Sequence, residues 1–285
     1  MTDEDHNPAL TRPLARTVSF GVKLSAFLLC LIAIMAVIAF FWTPYDSQNM
    51  AIGARYQLPS ARHLLGTDHY GRDILSLVML GARYSLGIAL LSIGGACIIG
   101  GALGMLLAGN HGAFAKFMMR TNDVIFAFPA LLTAIMLAAI WGAGKMNIIL
   151  AIGLFAIPIF TRIAKASSED FLHRPFVMAA KMAGLTHFQI LWRHILPNIT
   201  GFIAIHIALQ LGIAILIEAG LSYLGFGVPP PQPSWGRMLA ESQTYLYKAP
   251  HIAIIYGLFI VICVACFNVI AEGLRRKMTA RSSKF

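Results

Sequence analysis

The chain has 285 residues, of which 58% are hydrophobic and only 12% charged, with a formal net charge of +10 at pH 7. Because a typical soluble domain carries about 25% charged residues, this composition excludes an ordinary soluble globular protein. It indicates a protein whose main solvent is lipid.

Long apolar runs support an all-α integral membrane protein. A helix needs roughly 20 mainly apolar residues to cross the hydrocarbon layer, and we predict six such helices: Leu24–Trp42, Tyr84–Ala108, Val124–Trp141, Ile148–Ile163, Gly201–Leu221 and Ile252–Ala271. The third and fourth contain Pro129 and Pro158, which a membrane helix tolerates when neighbouring groups satisfy the freed carbonyl. The first run has Trp42 and Pro44 where a cleaved signal peptide needs small residues, so we interpret it as an anchor.

Lysine and arginine predict the orientation of these helices, because short cytoplasmic loops carry an excess of both residues. With the N-terminus inside, 15 lie in cytoplasmic segments: Arg12, Arg16, Lys23, Lys116, Arg120, Arg162, Lys165, Arg174, Lys181, Arg193, Arg275, Arg276, Lys277, Arg281 and Lys284. The other 7 lie in outer segments: Arg55, Arg62, Arg72, Arg83, Lys145, Arg237 and Lys248. We therefore expect both termini in the cytoplasm. The basic residues form no stripe interleaved with aromatics, so we predict no nucleic-acid partner.

Catalytic and metal-binding motifs are not evident. Gly144 and Lys145 resemble the end of a phosphate-binding loop, but Ala139 occupies the position of its first glycine and Met146 that of its serine or threonine. We therefore predict no ATP site in this chain. The four cysteines lie inside predicted helices and are interpreted as packing residues: Cys30, Cys97, Cys263 and Cys266.

Several charged residues lie at the ends of predicted helices. We expect Asp68, Arg72 and Asp73 to satisfy one another at the entrance of the second helix. Arg120 and Asp123 are three residues apart at the start of the third helix and are expected to pair.

Polar and small residues also occur inside the helices. Gly100 and Gly104 form a GxxxG motif, which predicts close helix packing. His206 and Gln210 share one face of the fifth helix, and Asn268 lies near the inner end of the sixth. Polar residues at membrane depth are costly, so these three either line a translocation path or form hydrogen bonds between helices.

The outer loop after the fifth helix is rich in proline. Pro229–Pro231 and Pro233 stiffen it, and Trp235 suits the aromatic belt at the membrane interface. Two interpretations stay open, because this loop could contact a docking protein or cap the helices.

Residues 162–199, on the cytoplasmic side, are too apolar for a disordered linker. Pro175 suits the first position of a helix, and Gly184 suits its C-terminal stop, where a left-handed residue is needed. Lys181 is turned away from the face that we predict to be lined by Phe176, Ala179, Ala180 and Ala183.

A second helix follows in the same segment. Thr186 and Gln189 have the spacing of a capping box that opens it, and we expect Pro197 to end it. The pair of helices predicts a folded unit that either receives a partner or lies on lipid, which Trp192 and Arg193 would suit.

This segment resembles the EAA loop of binding-protein-dependent ABC importer permeases at Ala179, Ala180, Gly184, Leu196 and Pro197. It departs from that pattern at Met178, where glutamate is usual, and at His194, where isoleucine is commonest. The ending WRHILPN, residues 192–198, is typical of the peptide/nickel branch.

Three further stretches resemble the C-type permease of the same branch. They are HLLGTDHYGRDILS at 63–76, MRTNDVIFAFPALL at 119–132 and EAGLSYLGFGVPPPQPSWGRML at 218–239. The resemblance covers roughly residues 20–275, and four motifs in the right order make it specific.

The resemblance implies a six-helix type I permease of the bacterial inner membrane. It implies a heterodimer with a homologous permease, two ATPase subunits that bind ATP and magnesium, and a periplasmic binding protein. The coupling contact with the ATPase would involve Ala179, Ala180, Gly184, Thr186, Gln189, Leu196 and Pro197. His206, Gln210 and Asn268 are the candidates for the translocation path. No cofactor and no catalytic residue are expected in this chain.

We divide the chain into a cytoplasmic tail (1–23), a first helix with its periplasmic loop (24–83), a core of five helices (84–275) containing the coupling loop 162–199, and a basic tail (276–285). The branch predicts peptides as substrates, with nickel or another small chelate as the alternative. A membrane scaffold without transport is the alternative from a different class. A secondary transporter is disfavoured, since no second half repeats the first.

Overall fold

The computed structural model describes residues 18–47 and 49–282, and within these residues it contains helices and loops but no β-strand. The α-helices are α1 (Val18–Ile38), α2 (Ile74–Leu107), α3 (Ala113–Ala127), α4 (Ala130–Trp141), α5 (Lys145–Leu172), α6 (Pro175–Met182), α7 (His187–Ile190), α8 (Leu196–Tyr223), α9 (Trp235–Ser242) and α10 (Pro250–Ser282). Five helical stretches are long and apolar enough to cross a membrane, or six if α3 and α4 together count as one span. This confirms the all-α membrane fold.

The third predicted span is not a single helix. The run Val124–Trp141 is divided between α3 and α4, which meet at 83°. Phe128 and Pro129 are extended at the junction, with ψ of 126° and 133°, because a residue before proline is forced out of the helical region. Pro158, by contrast, lies within the unbroken helix α5.

Three of the predicted runs, Ile148–Ile163, Gly201–Leu221 and Ile252–Ala271, lie inside longer helices, whereas α1 ends at Ile38, before the predicted Trp42. α5 continues past Ile163 to Leu172, and α2 begins at Ile74 rather than at Tyr84. Residues 18–23 belong to α1 and residues 276–282 to α10, whereas the rest of the two predicted tails, 1–17 and 283–285, lies outside the described residues.

The centre of the molecule is built from α2, α5 and α8. A Cβ at Gly100 or Gly104 would meet the backbone carbonyl oxygens of Ile157 and Thr161 on α5. Only glycine permits the two helices to approach so closely, which confirms the packing role of the GxxxG motif. Cys263, a free thiol on α10, is fully buried in this core.

The bundle has two ends, which we call the α6 end and the α9 end after the short helix at each. At the α9 end Trp235 is fully buried, and its Nε1 donates a hydrogen bond to the Val78 carbonyl oxygen at 3.1 Å. Gly81 leaves the room for the indole ring. The expectation that Trp235 lies in an interfacial belt is therefore wrong, because the helix α9 points this side chain into the bundle. The prolines 229–231 before α9 are exposed, so whether this proline-rich loop contacts a docking protein or caps the helices stays open.

Charged residues organise the entrance of α2. Asp68 accepts hydrogen bonds from the Arg72 Nε at 2.7 Å and from the Arg72 backbone N–H at 2.8 Å. Asp73 caps α2 by accepting from the Ser76 N–H at 2.9 Å, and its other carboxylate oxygen lies 3.0 Å from the His63 Nδ1. The three residues thus have the predicted structural role, although the partners of Asp73 are Ser76 and His63 rather than Arg72.

The expected pairing of Asp123 with Arg120 is wrong. Asp123 accepts a hydrogen bond from the Nη2 of Arg162 on α5 at 2.6 Å. The guanidinium of Arg162 also lies 4.8 Å from the centre of the Phe126 ring. Because α5 packs beside α3, a residue 39 positions away competes successfully with the neighbour on the same helix.

Candidate functional site

The candidate site is a folded unit at the α6 end, residues 175–195, which we call the α6–α7 unit. Pro175 occupies the first position of α6 after an extended Arg174. Proline suits this position because its missing N–H would have no partner there. The start of α6 is therefore the one predicted from the sequence.

Gly184 ends α6 in a left-handed conformation, with φ of +82°. The Leu185 N–H donates to the Ala180 carbonyl oxygen at 3.2 Å, and the Gly184 N–H donates to that of Lys181 at 3.0 Å. These two bonds form a Schellman motif, which satisfies the last carbonyls of a helix. The prediction of a glycine stop is confirmed.

A capping box opens α7. The Gln189 N–H donates to the Thr186 Oγ1 at 3.3 Å, and the Thr186 N–H donates to the Gln189 Oε1 at 2.8 Å. Each side chain thus satisfies a backbone donor that the helix leaves free. This prediction is also confirmed, and the two devices fix the angle between α6 and α7.

Pro197 does not end the second helix, as we had expected. α7 continues through a π-helical turn, Leu191–Ile195, into α8, and the helical stretch runs without a loop from His187 to Tyr223. Proline normally clashes with the carbonyl four residues earlier and leaves it without a donor. In the π turn the Leu196 N–H instead bonds the Leu191 carbonyl oxygen, five residues back. The wider turn admits Pro197 as the second residue of α8.

The inner face of the α6–α7 unit packs onto the bundle. The buried contacts form a separate small core that contains residues of the unit (Val177, Ala180, Ile190, Leu191 and Ile195) and of α2, α5 and α8 (Met105, Ala164, Leu172 and Ile199). Ala180 is only 8% exposed, so it lies in this core and not on the predicted outer face of small residues. The reason is the helical period, which places Ala180 beside Val177 on the inward side. The unit is thereby fixed to three long helices.

The outer face of the α6–α7 unit is apolar and exposed. Met182 is 90% exposed, Met178 55%, Phe188 60% and Trp192 52%. Ala179 and Ala183 lie on the same accessible side of α6. Large exposed apolar side chains on one small unit favour an interaction surface, and methionine side chains adapt to the shape of a partner.

Leu196 and Pro197 differ in their surroundings. Leu196 packs against the small core, whereas Pro197 is exposed. Thr186 and Gln189 are exposed as well, although their side chains are held by the capping box. The residues of the predicted coupling loop therefore divide into those that shape the unit and those that face outward.

The candidates for a translocation path are not joined into one site. The His206 Nδ1 lies 2.9 Å from the Phe202 carbonyl oxygen, and the Asn268 Nδ2 donates to that of Val264 at 3.0 Å. Each contact joins two residues of the same helix, which is α8 for His206 and α10 for Asn268. Gln210 is buried on α8, and Asn268 is exposed beside α1. A role for these residues in a path stays a prediction.

Sequence reasoning missed one buried acidic residue. Glu218 on α8 is fully buried, and its Oε1 accepts a hydrogen bond from the Ser222 Oγ at 2.7 Å. Ser85 on α2 and Ser234 before α9 are also buried, and Ser85 accepts from the Trp235 N–H at 3.4 Å. The sequence did contain a signal for this residue, because Glu218 and Ser222 are two polar residues four positions apart in an otherwise apolar run.

Metal ligands are not clustered in the part of the chain that the structure describes. Within residues 18–47 and 49–282, no three His, Cys, Asp or Glu side chains are placed to hold a metal ion together.

Comparison with known proteins agrees with this architecture. The family model described as "Binding-protein-dependent transport system inner membrane component" matches residues 100–282. The chain is 38% identical over 256 residues to the glutathione transport system permease protein GsiD of Pectobacterium atrosepticum, which covers 90% of this chain and 85% of that protein. It is 36% identical over 256 residues to GsiD of Escherichia coli strain 536, with coverages of 88% and 83%.

Solved structures show the same fold. The MetNI methionine ABC transporter in an inward facing conformation aligns with a TM-score of 0.58 at 17% sequence identity, over 70% of this chain and 95% of that one. A second crystal form aligns with a TM-score of 0.54 at 18% identity, over 69% and 94%. At this identity the likeness concerns the fold, which is that of a type I ABC importer permease.

Proposed function

Because the chain belongs to the family of binding-protein-dependent transport system inner membrane components, we propose that it is the permease subunit through which an ATP-driven importer carries small peptides. As a member of this family it is a transport subunit and not the enzyme that hydrolyses ATP. ATP and magnesium would be bound by partner ATPase subunits.

The observation that carries the proposal is the two-sided construction of the α6–α7 unit. Its inner face is buried against α2, α5 and α8, while its outer face exposes Met178, Met182 and Phe188. An ATPase subunit that binds the outer face would therefore move three long helices together. The energy would come from the different affinity of ATP for the two states of the importer. The interpretation of this unit as a helix on the lipid surface is less favoured, because it does not account for the rigid attachment.

The remaining partners follow from the same proposal. A homologous permease would complete the translocation path, two ATPase subunits would lie at the α6 end, and a periplasmic binding protein would deliver substrate at the α9 end. The excess of lysine and arginine in the segments of the α6 end supports a cytoplasmic location for that end and for both termini. The importer would lie in the bacterial inner membrane.

The proposed substrate class rests on the relatives. Two of them at 36–38% identity are glutathione transport permeases, and glutathione is a small peptide. We therefore propose small peptides as the cargo, with glutathione as the first compound to test.

The experiment is the ATPase rate of the reconstituted complex in the presence of its binding protein. The binding protein is loaded in separate assays with glutathione, a dipeptide or a nickel chelate. We expect stimulation by a peptide and the basal rate with the nickel chelate. Stimulation by the chelate alone would overturn the substrate class and leave the permease role intact. Purification of the chain without any ATPase subunit would instead favour a scaffold.

A further inference from the structure

A groove of about 440 Å³ lies between α1 and α10 at the α6 end. The residues that line it are Gly21, Val22, Asn268, Val269, Glu272, Gly273 and Arg276. Gly273 allows the close approach of the two helices, because a Cβ there would meet the side chain of Val22. The groove opens beside this contact.

The groove lies at the depth where both helices pass from apolar to charged sequence. On α1 the apolar run begins at Leu24, directly after Lys23, and on α10 it ends at Ala271, directly before Glu272. Because Val22 packs against Gly273, these two boundaries lie at the same level. In a membrane protein this level is the region of the lipid headgroups, whichever side of the membrane it faces.

An ion-pair network orients the basic groups of α10. Glu272 accepts hydrogen bonds from the Arg276 Nε at 2.7 Å, and from the Arg275 Nε and Nη2 at 2.8 and 3.1 Å. A guanidinium group has five N–H donors, so both arginines keep donors for a further anion. Lys23 on α1 and Lys277 on α10 are exposed. The described parts of these two helix ends thus carry four basic residues, of which Arg275 and Arg276 bond Glu272.

The surface below the groove is apolar. Val269 is 39% exposed, and along α1 Leu24 is 46% and Phe27 65% exposed. Arg276 lines the groove beside its partner Glu272, and Lys23 directly follows the lining residue Val22 on α1. A groove edged by these two basic groups above exposed hydrocarbon fits a molecule that has a negative head and apolar tails. We propose that this groove binds the headgroup of an anionic phospholipid, with the phosphate held by Arg276 and Lys23. The lipid would then fasten α1 to α10, the two helices that lead to the ends of the chain.

The test measures which phospholipids remain bound to the assembled full-length complex after extraction from vesicles of phosphatidylglycerol and phosphatidylcholine. Bound lipid is quantified by mass spectrometry per copy of this chain. We expect phosphatidylglycerol to be enriched on the wild type. Each basic residue near an anionic surface contributes about fivefold in affinity, so Arg276→Gln should lower the retained phosphatidylglycerol about fivefold. Arg276→Lys, which keeps the charge, should retain most of it.

A matched control removes a charge at the same end but outside the groove. Lys116 is exposed on α3, and Lys116→Gln should leave phosphatidylglycerol retention unchanged. An equal loss from Lys116→Gln and Arg276→Gln would show general surface charge and overturn the proposal. No loss from Arg276→Gln combined with Lys23→Gln would overturn it as well.

Three other occupants of the groove are separated in the same assay. Displacement of the lipid by millimolar inorganic phosphate would indicate a site for free phosphate. Loss of the homologous permease from the purified complex on Arg276→Gln would indicate a subunit interface. The third is the N-terminal sequence, which carries Asp3, Glu4 and Asp5, and its occupancy would be shown by higher lipid retention after deletion of residues 2–10. The first two results would overturn the lipid site, whereas higher retention after the deletion would support it and show that the N-terminal sequence competes with the lipid.

Discussion

Gly184 determines the shape of the α6–α7 unit through its backbone alone. Its φ is +82°, and a Cβ at this position would meet no heavy atom within 4 Å. A side chain here is therefore disfavoured by the left-handed conformation, at a cost of about 1–2 kcal/mol, and not by a lack of space. Substitutions that differ in their tolerance of positive φ can therefore test whether the backbone conformation at this position matters.

We predict that Gly184→Val leaves the amount of permease in the membrane unchanged but abolishes transport. The β-branched side chain makes positive φ a genuine outlier, so α6 and α7 would lose their relative angle. Gly184→Asn is the control, because asparagine adopts this conformation far more readily, and it should keep most of the transport. Peptide uptake and immunodetected permease are measured in the same cells. Normal uptake by Gly184→Val would contradict the coupling role.

Thr186 is the second residue whose effect should be local. Thr186→Ala removes the acceptor of the Gln189 N–H and should destabilise the start of α7 by about 1 kcal/mol. We expect less ATPase subunit to co-purify, with unchanged membrane insertion. Thr186→Ser keeps a hydroxyl acceptor and should behave like the wild type. Equal co-purification of the ATPase with Thr186→Ala would show that the capping box has no part in docking.

At the scale of the elements, the two short helices α6 and α9 differ in what they expose. α9 inserts Trp235 into the bundle, whereas the α6–α7 unit leaves Trp192 more than half exposed. One aromatic residue contributes to stability, and the other belongs to the surface that we propose for the partner. Replacement by alanine should therefore affect stability at the α9 end and partner binding at the α6 end.

We predict that Trp235→Ala destabilises the protein by about 3–5 kcal/mol, the usual cost of truncating a buried aromatic side chain. Thermal unfolding in detergent should show a lower midpoint and a lower yield. Trp192→Ala should leave the midpoint unchanged and reduce co-purification of the ATPase. If Trp192→Ala lowered the midpoint as much as Trp235→Ala, its role would be structural.

A cluster of aromatic rings connects the loop before α2 with the segment before α10. The His69 ring stacks on that of Tyr245 with 4.2 Å between centroids and lies 3.8 Å from that of Tyr70. Burial lowers the pKa of His69 below its ordinary value, and the neighbouring Asp68 opposes this effect only in part. The neutral imidazole is thus the form that the folded cluster favours.

This lowered pKa predicts a pH dependence. When the folded pKa lies below the unfolded value, the unfolded state binds more protons, so stability decreases as the pH falls below about 6.5. Unfolding midpoints measured between about pH 7.5 and 5.5 should fall less steeply for His69→Gln than for the wild type. His187→Gln, at an exposed position on α7, should keep the wild-type slope. An unchanged slope for His69→Gln would assign the pH dependence to other groups.

The elements that could be predicted from the sequence are those whose signals are local. The start of α6, the glycine stop and the capping box each depend on residues within one or two turns, and all three occur as expected. Pro129 and Pro158 show the limit of prediction from local sequence signals. Both lie in apolar runs, yet only Pro129 separates two helices, while Pro158 is buried in α5 where that helix packs along α2. The contacts that decide between the two outcomes come from distant parts of the chain.

The same limit applies to the candidate site. The partner of Asp123, the burial of Trp235 and the inward position of Ala180 all depend on how helices pack, and none of them could be predicted from spacing. The resemblance to a permease family identified the α6–α7 unit without indicating which of its faces is free.

At the scale of the whole molecule, orientation is the property to test first. The α9 end should face outward and both termini should face the cytoplasm. A cysteine in place of the exposed Gln232 should react with an impermeant thiol reagent added to sealed cells, and one at Ser283 should not. The native cysteines are replaced first, since Cys30 is exposed in the structure. Labelling at Ser283 would contradict the six-span orientation.

The helical stretch from His187 to Tyr223 joins the two ends of the molecule without a loop. Its 37 residues measure about 55 Å at 1.5 Å per residue. A tilt of this stretch at one end of the molecule is therefore transmitted to the other end. A tilt of about 5° about one end displaces the other by about 5 Å, which is the size of a helical turn. A small movement of α7 would in this way become a large movement beside Glu218 and α9. The only interruption of the α-helical geometry between His187 and Tyr223 is the π-helical turn. We expect the stiffness of that one turn to influence how much of a movement at the α6 end reaches the α9 end.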